Sequence, residues 1–66
     1  MTGGRLATRV RKFRQAQGLT QQRLAQRAGI TREYLGKIEA AKQDPSASIV
    51  TRIAKALGVT AGALLD

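Results

Sequence analysis

The side chains that could do chemistry in this 66-residue chain are mainly cationic and amide groups. Histidine and cysteine are absent, and the acids are four scattered residues, Glu33, Glu39, Asp44 and Asp66. General bases, nucleophiles and metal sites need several such groups in one place, so the sequence predicts no enzyme, no metal site and no cofactor. Twelve lysines and arginines give a net charge of +8, and a field of that sign attracts polyanions.

The most informative polar residues are spaced as on one face of a helix. Arg32 and Glu33 are followed one turn later by Gly36 and Lys37. Arg32 or Lys37 could donate to O6 and N7 of guanine, and Glu33 could accept from the amino group of cytosine. In the alternative interpretation, Glu33 and Lys37 are only an exposed ion pair worth ~0.2–0.5 kcal/mol. Gly36 costs ~1 kcal/mol inside a helix, which close approach of DNA, or room for a neighbouring side chain, would explain.

The positive charge is concentrated at the start of the chain. Residues 1–17 hold five basic residues and no acid, and residues 20–39 hold four basic residues and two acids. A basic surface is often only solvated, but in a small domain with this helix pattern we interpret it as a nucleic-acid-binding surface. Phe13 and Tyr34 are the only aromatic residues, too few for a surface that stacks single-stranded bases. We therefore expect double-stranded DNA as the partner.

Two short helices between Thr20 and Glu39 must position these side chains. Thr20 and Thr31 can each cap a helix by accepting a hydrogen bond from a free N–H of its first turn, and Gly29 allows a tight turn between them. The apolar residues of this stretch fall at helical spacing: Leu24, Ala25, Ala28, Ile30, Leu35 and Ile38. The pattern is that of a helix-turn-helix, whose second helix can enter a major groove.

The remaining chain supplies three further helices. The pattern G-[LIV]-T-x-x-x-L begins at Gly18, Gly29 and Gly58, where glycine ends one helix and threonine caps the next. A loop ends at Pro45, and Ser46 can cap the helix that follows. We predict an all-α fold of five short helices, near residues 5–17, 20–28, 31–39, 46–57 and 60–65.

Length and hydropathy limit the organisation. A chain of 66 residues allows one domain, and we assign it to residues 5–66, preceded by a flexible N-terminus at residues 1–4. The longest apolar runs are two or three residues, so the sequence predicts neither a membrane span nor a signal peptide. Because cysteine is also absent, we expect the protein in the cytoplasm.

The stretch LTQQRLAQRAGITREYLGKIEAAKQDPS, residues 19–46, resembles the Cro/C1-type (XRE-like) helix-turn-helix regulators. The likeness runs from about Leu6 to Leu65 and includes the later segment IAKALGV. It implies a lambda-repressor-like fold and a bacterial or phage-encoded, nucleoid-associated transcriptional regulator, a repressor rather than an activator. Such a regulator would bind a pseudo-palindromic operator as a homodimer, with half-sites about one helical turn apart.

Two positions depart from the family pattern just after the recognition helix. Glycine usually follows the Ile-Glu pair by two residues, where this chain has Ala41. Either the helix continues for an extra turn, or Ala41 holds a positive φ at a cost of ~1 kcal/mol. The position before it, often basic or amide-bearing in the family, is Ala40, which lacks the side chain for one expected backbone contact.

The helix positions and the resemblance together assign the DNA contacts. Base contacts are expected from Thr31, Arg32, Glu33, Gly36 and Lys37. Phosphate contacts are expected from Arg14, Thr20, Gln21, Gln22, Tyr34 and Lys42, with the basic residues of the first helix as further candidates or as merely solvated charges. The resemblance implies that Gln21 also braces Arg32. It further implies a partly buried ion pair of Arg14 and Glu39, between the first helix and the end of the recognition helix.

Dimer contacts are expected from the last helix and the start of the fourth. The candidates are Ile49, Ala61, Ala63 and Leu65, of which Ile49 and Leu65 lie off the main apolar stripes. No small-molecule ligand is evident. Two other functions stay open: an antitoxin or adaptor that uses the same fold to bind a protein partner, and a basic architectural protein that binds every duplex alike. A co-purifying protein would favour the first, and equal affinity for all duplexes the second.

Overall fold

A computed structural model describes residues 2–66, with side chains from Gly4 onward, and these residues form five helices and no strand. The helices are α1 (Thr2–Ala16), α2 (Gln21–Ala28), α3 (Arg32–Glu39), α4 (Ala47–Leu57) and α5 (Ala61–Leu65). The longest connection joins α3 to α4, where the sequence predicted the loop. The prediction of an all-α fold with five short helices is confirmed.

Hydroxyl side chains begin the last four helices, as predicted. Thr20, Thr31, Ser46 and Thr60 have extended backbone, and each accepts a hydrogen bond from the N–H three residues later. The donor–acceptor distances are 3.1, 3.0, 3.4 and 3.1 Å in that order. A cap of this kind contributes about 1 kcal/mol and fixes where its helix starts.

Glycines with a left-handed backbone end three of the helices. Gly18, Gly29 and Gly58 have φ values of 68°, 71° and 71°. In each corner the N–H of the following residue donates to the carbonyl five residues back, at 2.9–3.0 Å. This is the bond that satisfies a helix end in a Schellman motif. The repeat found in the sequence is therefore a structural device that turns the chain without a long loop.

The first helix starts earlier than expected. α1 begins at Thr2 instead of Arg5 and ends at Ala16 instead of Gln17. Residues 2–4, which we expected to be a loose start, form its first turn, because a helix that is already formed propagates into glycine at a cost of only about 1 kcal/mol per residue. Met1 lies outside the described residues. Fraying of this end in solution stays a prediction.

The chain leaves α3 through a non-glycine residue with positive φ. α3 ends at Glu39, Ala40 has a φ of −91°, and Ala41 has a φ of 59°. The N–H of Lys42 donates to the carbonyl of Lys37 at 2.9 Å, the same bond as in the three glycine corners. Of the two alternatives for Ala41, the strained backbone is the one observed, at a cost of about 1 kcal/mol.

The apolar core lies where the five helices meet. Its buried members are Leu6, Val10, Leu24, Ala25, Ala28, Leu35, Ile38, Val50, Ile53, Ala54, Leu57 and Leu64. Phe13, predicted as part of the α1 stripe, is half-buried against this core, and Ala7, which the sequence did not single out, is buried. α1 and α2 both pack against α3. The inner side of α3 is therefore covered and its outer side is left open.

Candidate nucleic-acid interface

The outer face of α3 is open to solvent. Arg32, Glu33 and Lys37 are exposed and Gly36 is half-buried, whereas Leu35 is fully buried. Residues four positions apart are neighbours on a helix surface, so Arg32 lies beside Gly36 and Glu33 beside Lys37. The structure thus gathers the predicted base-reading residues on one accessible surface.

Glu33 and Lys37 form no salt bridge with each other. Within residues 4–66, one salt bridge is present, and it joins Arg14 to Glu39. The interpretation of Glu33 and Lys37 as a simple exposed ion pair has no support in this arrangement. Thr31, at the start of the same helix, is exposed, and its hydroxyl oxygen is occupied by the cap while its hydroxyl hydrogen is available.

Behind this face, Arg14 and Glu39 form the expected ion pair. Nε of Arg14 donates to Oε2 of Glu39 at 2.8 Å, and Nη2 donates to Oε1 at 3.0 Å. Nη1 donates to the carbonyl of Leu19 at 2.8 Å. The side chains are 13% and 3% exposed, so each charge depends on the other for compensation. With three nitrogens engaged, Arg14 mainly holds α1 to α3, and its phosphate contact stays a prediction.

Gln21 connects the ion pair to the outer face of α3. Its amide nitrogen donates to Oε1 of Glu39 at 3.1 Å, and its amide oxygen accepts from Nη1 of Arg32 at 3.5 Å. The second distance is at the long end of the hydrogen-bonding range, so this contact orients Arg32 without locking it. The arrangement agrees with the bracing of Arg32 that the resemblance implied.

Nothing inside the described part of the chain requires glycine at position 36. A Cβ there would meet the amide oxygen of Gln21 at 3.9 Å, an ordinary van der Waals distance. Room for a neighbouring side chain therefore does not explain Gly36. The other explanation, close approach of an outside molecule to the α3 backbone, remains.

The residues expected at phosphates lie near the start of α2 and around α3. Thr20 and Gln22 are exposed and line a shallow polar cleft at the start of α2, where free N–H groups point outward. Lys42 is exposed in the loop after α3. Tyr34 is half-buried and packs against the core, so its ring is held in place. Contacts to phosphate from these residues stay predictions.

Three arginines of α1 have a role that the sequence analysis missed. They donate to carbonyls at the ends of other helices: Arg5 to Asp66 at 3.0 Å, Arg9 to Ala63 at 3.3 Å, and Arg11 to Glu39 at 2.8 Å. Carbonyls at a helix end have no N–H of their own helix left to bond. These side chains are therefore not merely solvated, and part of the positive charge of α1 is used inside the fold.

The ends of α2 and α4 are capped in the same way. Arg52 donates to the carbonyls of Ala28 and Gly29 at 3.0 and 2.6 Å, and the amide of Gln17 donates to the carbonyl of Leu57 at 2.7 Å. In the sequence such residues look solvated, because they stand on the polar side of their helices. Arg52 is 24 residues from Ala28 in the sequence, and Gln17 is 40 residues from Leu57, so no local pattern reveals these contacts.

The residues expected at a dimer contact are accessible. Leu65 is 37% exposed, the large apolar residue left most open among the described side chains. Ile49, Ala61 and Ala63 are half-buried, and the two helices that carry these residues, α4 and α5, pack together. Their role in a dimer stays a prediction.

The described residues contain no group of three or more histidine, cysteine, aspartate or glutamate side chains that could hold a metal ion. None of the helices α1 to α5 has both the length and the apolar character needed to cross a membrane.

Comparison with known sequences agrees with the geometry. The family model described as helix-turn-helix (HTH_3) matches residues 10–64. An uncharacterized HTH-type transcriptional regulator of Methanothermobacter thermautotrophicus is 42% identical over 53 residues, which are 80% of this chain and 77% of that protein. The immunity repressor protein of Bacillus phage phi105 is 37% identical over 57 residues, which are 86% of this chain but 40% of the repressor.

A solved structure has nearly the same backbone. The restriction-modification controller protein C.AhdI from Aeromonas hydrophila matches with a TM-score of 0.91 and 31% sequence identity, over 94% of each chain. These relatives are regulators and not enzymes, and the family model covers the chain from α1 into α5. The chain therefore belongs to the HTH_3 family of helix-turn-helix proteins, the Cro/C1-type DNA-binding transcriptional regulators.

Proposed function

We propose that this chain is a sequence-specific repressor that binds a pseudo-palindromic operator in double-stranded DNA as a homodimer. The observation that carries the proposal is the outer face of α3, where Arg32, Glu33 and Lys37 are exposed and not paired with one another. Family membership accounts for DNA binding in general. The choice among DNA sequences is inferred from the chemistry of this face.

In this proposal α3 lies in the major groove. Arg32 donates a pair of hydrogen bonds to O6 and N7 of one guanine, Lys37 donates to another, and Glu33 accepts from a cytosine amino group. Thr31 offers a hydroxyl hydrogen and a methyl group at the start of the helix, and Gly36 permits close approach of the backbone. Each good bidentate contact discriminates against the wrong base by about 1–3 kcal/mol.

Glu33 favours sequence selection over non-specific binding. A carboxylate near phosphates is repelled, so a protein that bound only the DNA backbone would gain affinity by losing this residue. The carboxylate becomes favourable where a cytosine amino group lies within reach. Its exposed position on α3 therefore supports a selective regulator rather than an architectural protein.

Phosphate contacts would fix where α3 enters the groove. Thr20, Gln21 and Gln22 bring the amides and free N–H groups of the α2 start to one phosphate. Lys42 and Tyr34 supply further contacts near α3. Such contacts set register and add affinity that is independent of base sequence.

A pseudo-palindromic operator requires two copies of the chain. Leu65, Ile49, Ala61 and Ala63 supply the apolar contact between protomers, and the two α3 helices then stand about 34 Å apart, one turn of DNA. A phage immunity repressor matches this chain over 86% of its length. This match supports repression, in which the protein covers a promoter, over activation.

Selection of bound sequences from random duplex DNA, at one stated salt concentration, tests the proposal. We expect a pseudo-palindromic consensus, two protein chains per duplex, and a preference of about 10³-fold or more over random duplex. Equal affinity for all duplexes contradicts the proposal and identifies an architectural protein. Loss of duplex binding together with capture of a protein partner contradicts it in favour of an adaptor.

A further inference from the structure

The turn before α3 is held by a side chain from α4. Nε of Arg52 donates to the carbonyl of Ala28 at 3.0 Å, and Nη2 donates to the carbonyl of Gly29 at 2.6 Å. These carbonyls close α2, and no further N–H of that helix is available to them. Two bonds from one planar guanidinium fix both the position and the direction of the turn, which the single nitrogen of a lysine cannot do.

The guanidinium sits tightly against the turn. A Cβ at position 29 would lie 2.5 Å from Nη2 of Arg52, closer than Cβ atoms approach other atoms in proteins. Gly29 therefore provides both the left-handed backbone and the seat for this side chain. Its carbonyl is two residues before Thr31, the cap of α3, so a group that fixes this carbonyl also fixes where α3 begins.

Arginines from other helices thus hold both ends of α3. At its end, α1 supplies Arg14 to the carboxylate of Glu39 and Arg11 to the Glu39 carbonyl. At its beginning, α4 supplies Arg52 to the turn. The apolar burial of Leu35 in between holds α3 to the core but has no direction of its own. Orientation of the first turn of α3 therefore depends on the polar contacts.

We propose that Arg52 is a positioning residue for DNA reading, which acts through the Ala28–Gly29 turn to set where Arg32 and Glu33 stand. The inference rests on the proposed function above. Base-edge hydrogen bonds tolerate displacements of only about 0.5 Å, whereas attraction to phosphates does not depend on such precision. Loss of the Arg52 contacts therefore lowers the preference for the operator more than the affinity for random duplex.

The surrounding cleft supplies a matched control. Arg27 and Lys55 line the same open cleft as Arg52, and within the described residues the bonds to the turn come from Arg52. Arg27→Gln removes one positive charge from the cleft and leaves the turn bonded. Arg52→Lys keeps the charge and loses the paired bonds, and Arg52→Gln loses both.

The experiment measures the affinity of the wild type and the three variants for the selected operator and for random duplex, at one salt concentration and at a temperature where each is folded by circular dichroism. We expect Arg52→Lys and Arg52→Gln to lower the operator-to-random ratio roughly tenfold, about the value of one bidentate base contact. Arg27→Gln weakens both affinities alike. A variant that is only less stable has both its operator affinity and its random-duplex affinity lowered by the same factor, so instability does not change the operator-to-random ratio.

The inference is overturned if Arg52→Lys has the same operator-to-random affinity ratio as the wild type. It is also overturned if Arg52→Gln and Arg27→Gln have equal ratios. If Arg52→Gln does not fold, the comparison of the ratios of Arg52→Lys and Arg27→Gln decides. A second measurement needs no operator: exchange of the Leu35 amide hydrogen, which bonds the Thr31 carbonyl at 3.0 Å, is faster in Arg52→Lys and unchanged in Arg27→Gln. If the wild type prefers no duplex, the proposed function fails, while the exchange rate still decides whether Arg52 holds the start of α3.

Discussion

At the scale of single residues, Gly36 separates the needs of folding from those of binding. A Cβ at this position meets no crowded atom within the described residues, and glycine inside a helix costs about 1 kcal/mol relative to alanine. We predict that Gly36→Ala raises the free energy of unfolding by up to about 1 kcal/mol in urea titrations. In the same protein, affinity for the selected operator falls, because the added methyl group keeps the α3 backbone from the groove. Unchanged affinity, or a less stable variant, would contradict this account of Gly36.

Arg32 and Lys42 illustrate two kinds of DNA contact. Arg32 stands on the outer face of α3 and Lys42 in the loop after it. We predict that Arg32→Ala relaxes base preference at one operator position per half-site, a loss of about 1–3 kcal/mol for the preferred base. Lys42→Ala weakens binding to all duplexes alike and flattens the salt dependence by about one phosphate contact. Binding titrations on operators changed at single positions, over a range of salt, distinguish the two. The division of roles is wrong if both substitutions act identically on every duplex.

At the scale of elements, the corner after α3 carries strain that the three glycine corners avoid. Ala41 has a φ of 59° and its neighbour Ala40 has −91°. We predict that Ala41→Gly raises the free energy of unfolding by about 0.5–1 kcal/mol, because glycine adopts positive φ without steric cost. Ala40→Gly is the matched control and lowers it by a similar amount, since glycine there only adds freedom to the unfolded chain. Denaturant titrations of both variants check the sign. If both variants were destabilised equally, Ala41 would not be strained by its positive φ.

The joint between α1 and α3 depends on a charge that is almost entirely buried. Glu39 is 3% exposed and meets both Arg14 and Gln21, whereas Glu33 is exposed. We predict that Glu39→Gln lowers the free energy of unfolding by about 3–5 kcal/mol, because it leaves the guanidinium of Arg14 without a compensating charge. Glu33→Gln, the same change on the surface, alters it by less than about 0.5 kcal/mol. Urea titrations measure both. Similar values for the two would mean that the ion pair contributes little to the fold.

The elements show where sequence reasoning succeeds. Caps such as Thr31 and corner glycines such as Gly29 act within a few residues, so their pattern in the sequence predicted the helix boundaries to within three residues. The capping roles of Arg11 and Arg52 were missed, because their carbonyl partners are 28 and 24 residues away. An arginine on a polar helix face has the same local pattern whether it meets solvent, phosphate or a helix end. Only the packing of the helices distinguishes these cases.

At the scale of the whole molecule, the net charge overstates the number of basic side chains that are free to contact DNA. Of the twelve basic residues, all of which lie in the described part of the chain, five bond backbone carbonyl or carboxylate oxygens of the protein itself: Arg5, Arg9, Arg11, Arg14 and Arg52. Composition indicated a polyanion partner but could not show which charges stabilise helix ends. The candidate base-reading residues were predictable, because face and exposure follow from helical spacing once α3 is recognised. The contacts that orient them, from Gln21 and Arg52, came from the folded arrangement.

In the proposed function, selection of the operator depends on α3 lying in the major groove with its outer face toward base edges. Methylation interference on the selected operator tests this most directly, because dimethyl sulfate modifies guanine N7 in the major groove, the atom assigned to Arg32 and Lys37. We predict interference at guanines in two clusters about one helical turn apart, one cluster in each half-site, and loss of the interference at one guanine of each cluster in Arg32→Ala. Binding that is unaffected by N7 methylation, with interference confined to adenine N3 in the minor groove, would contradict the account.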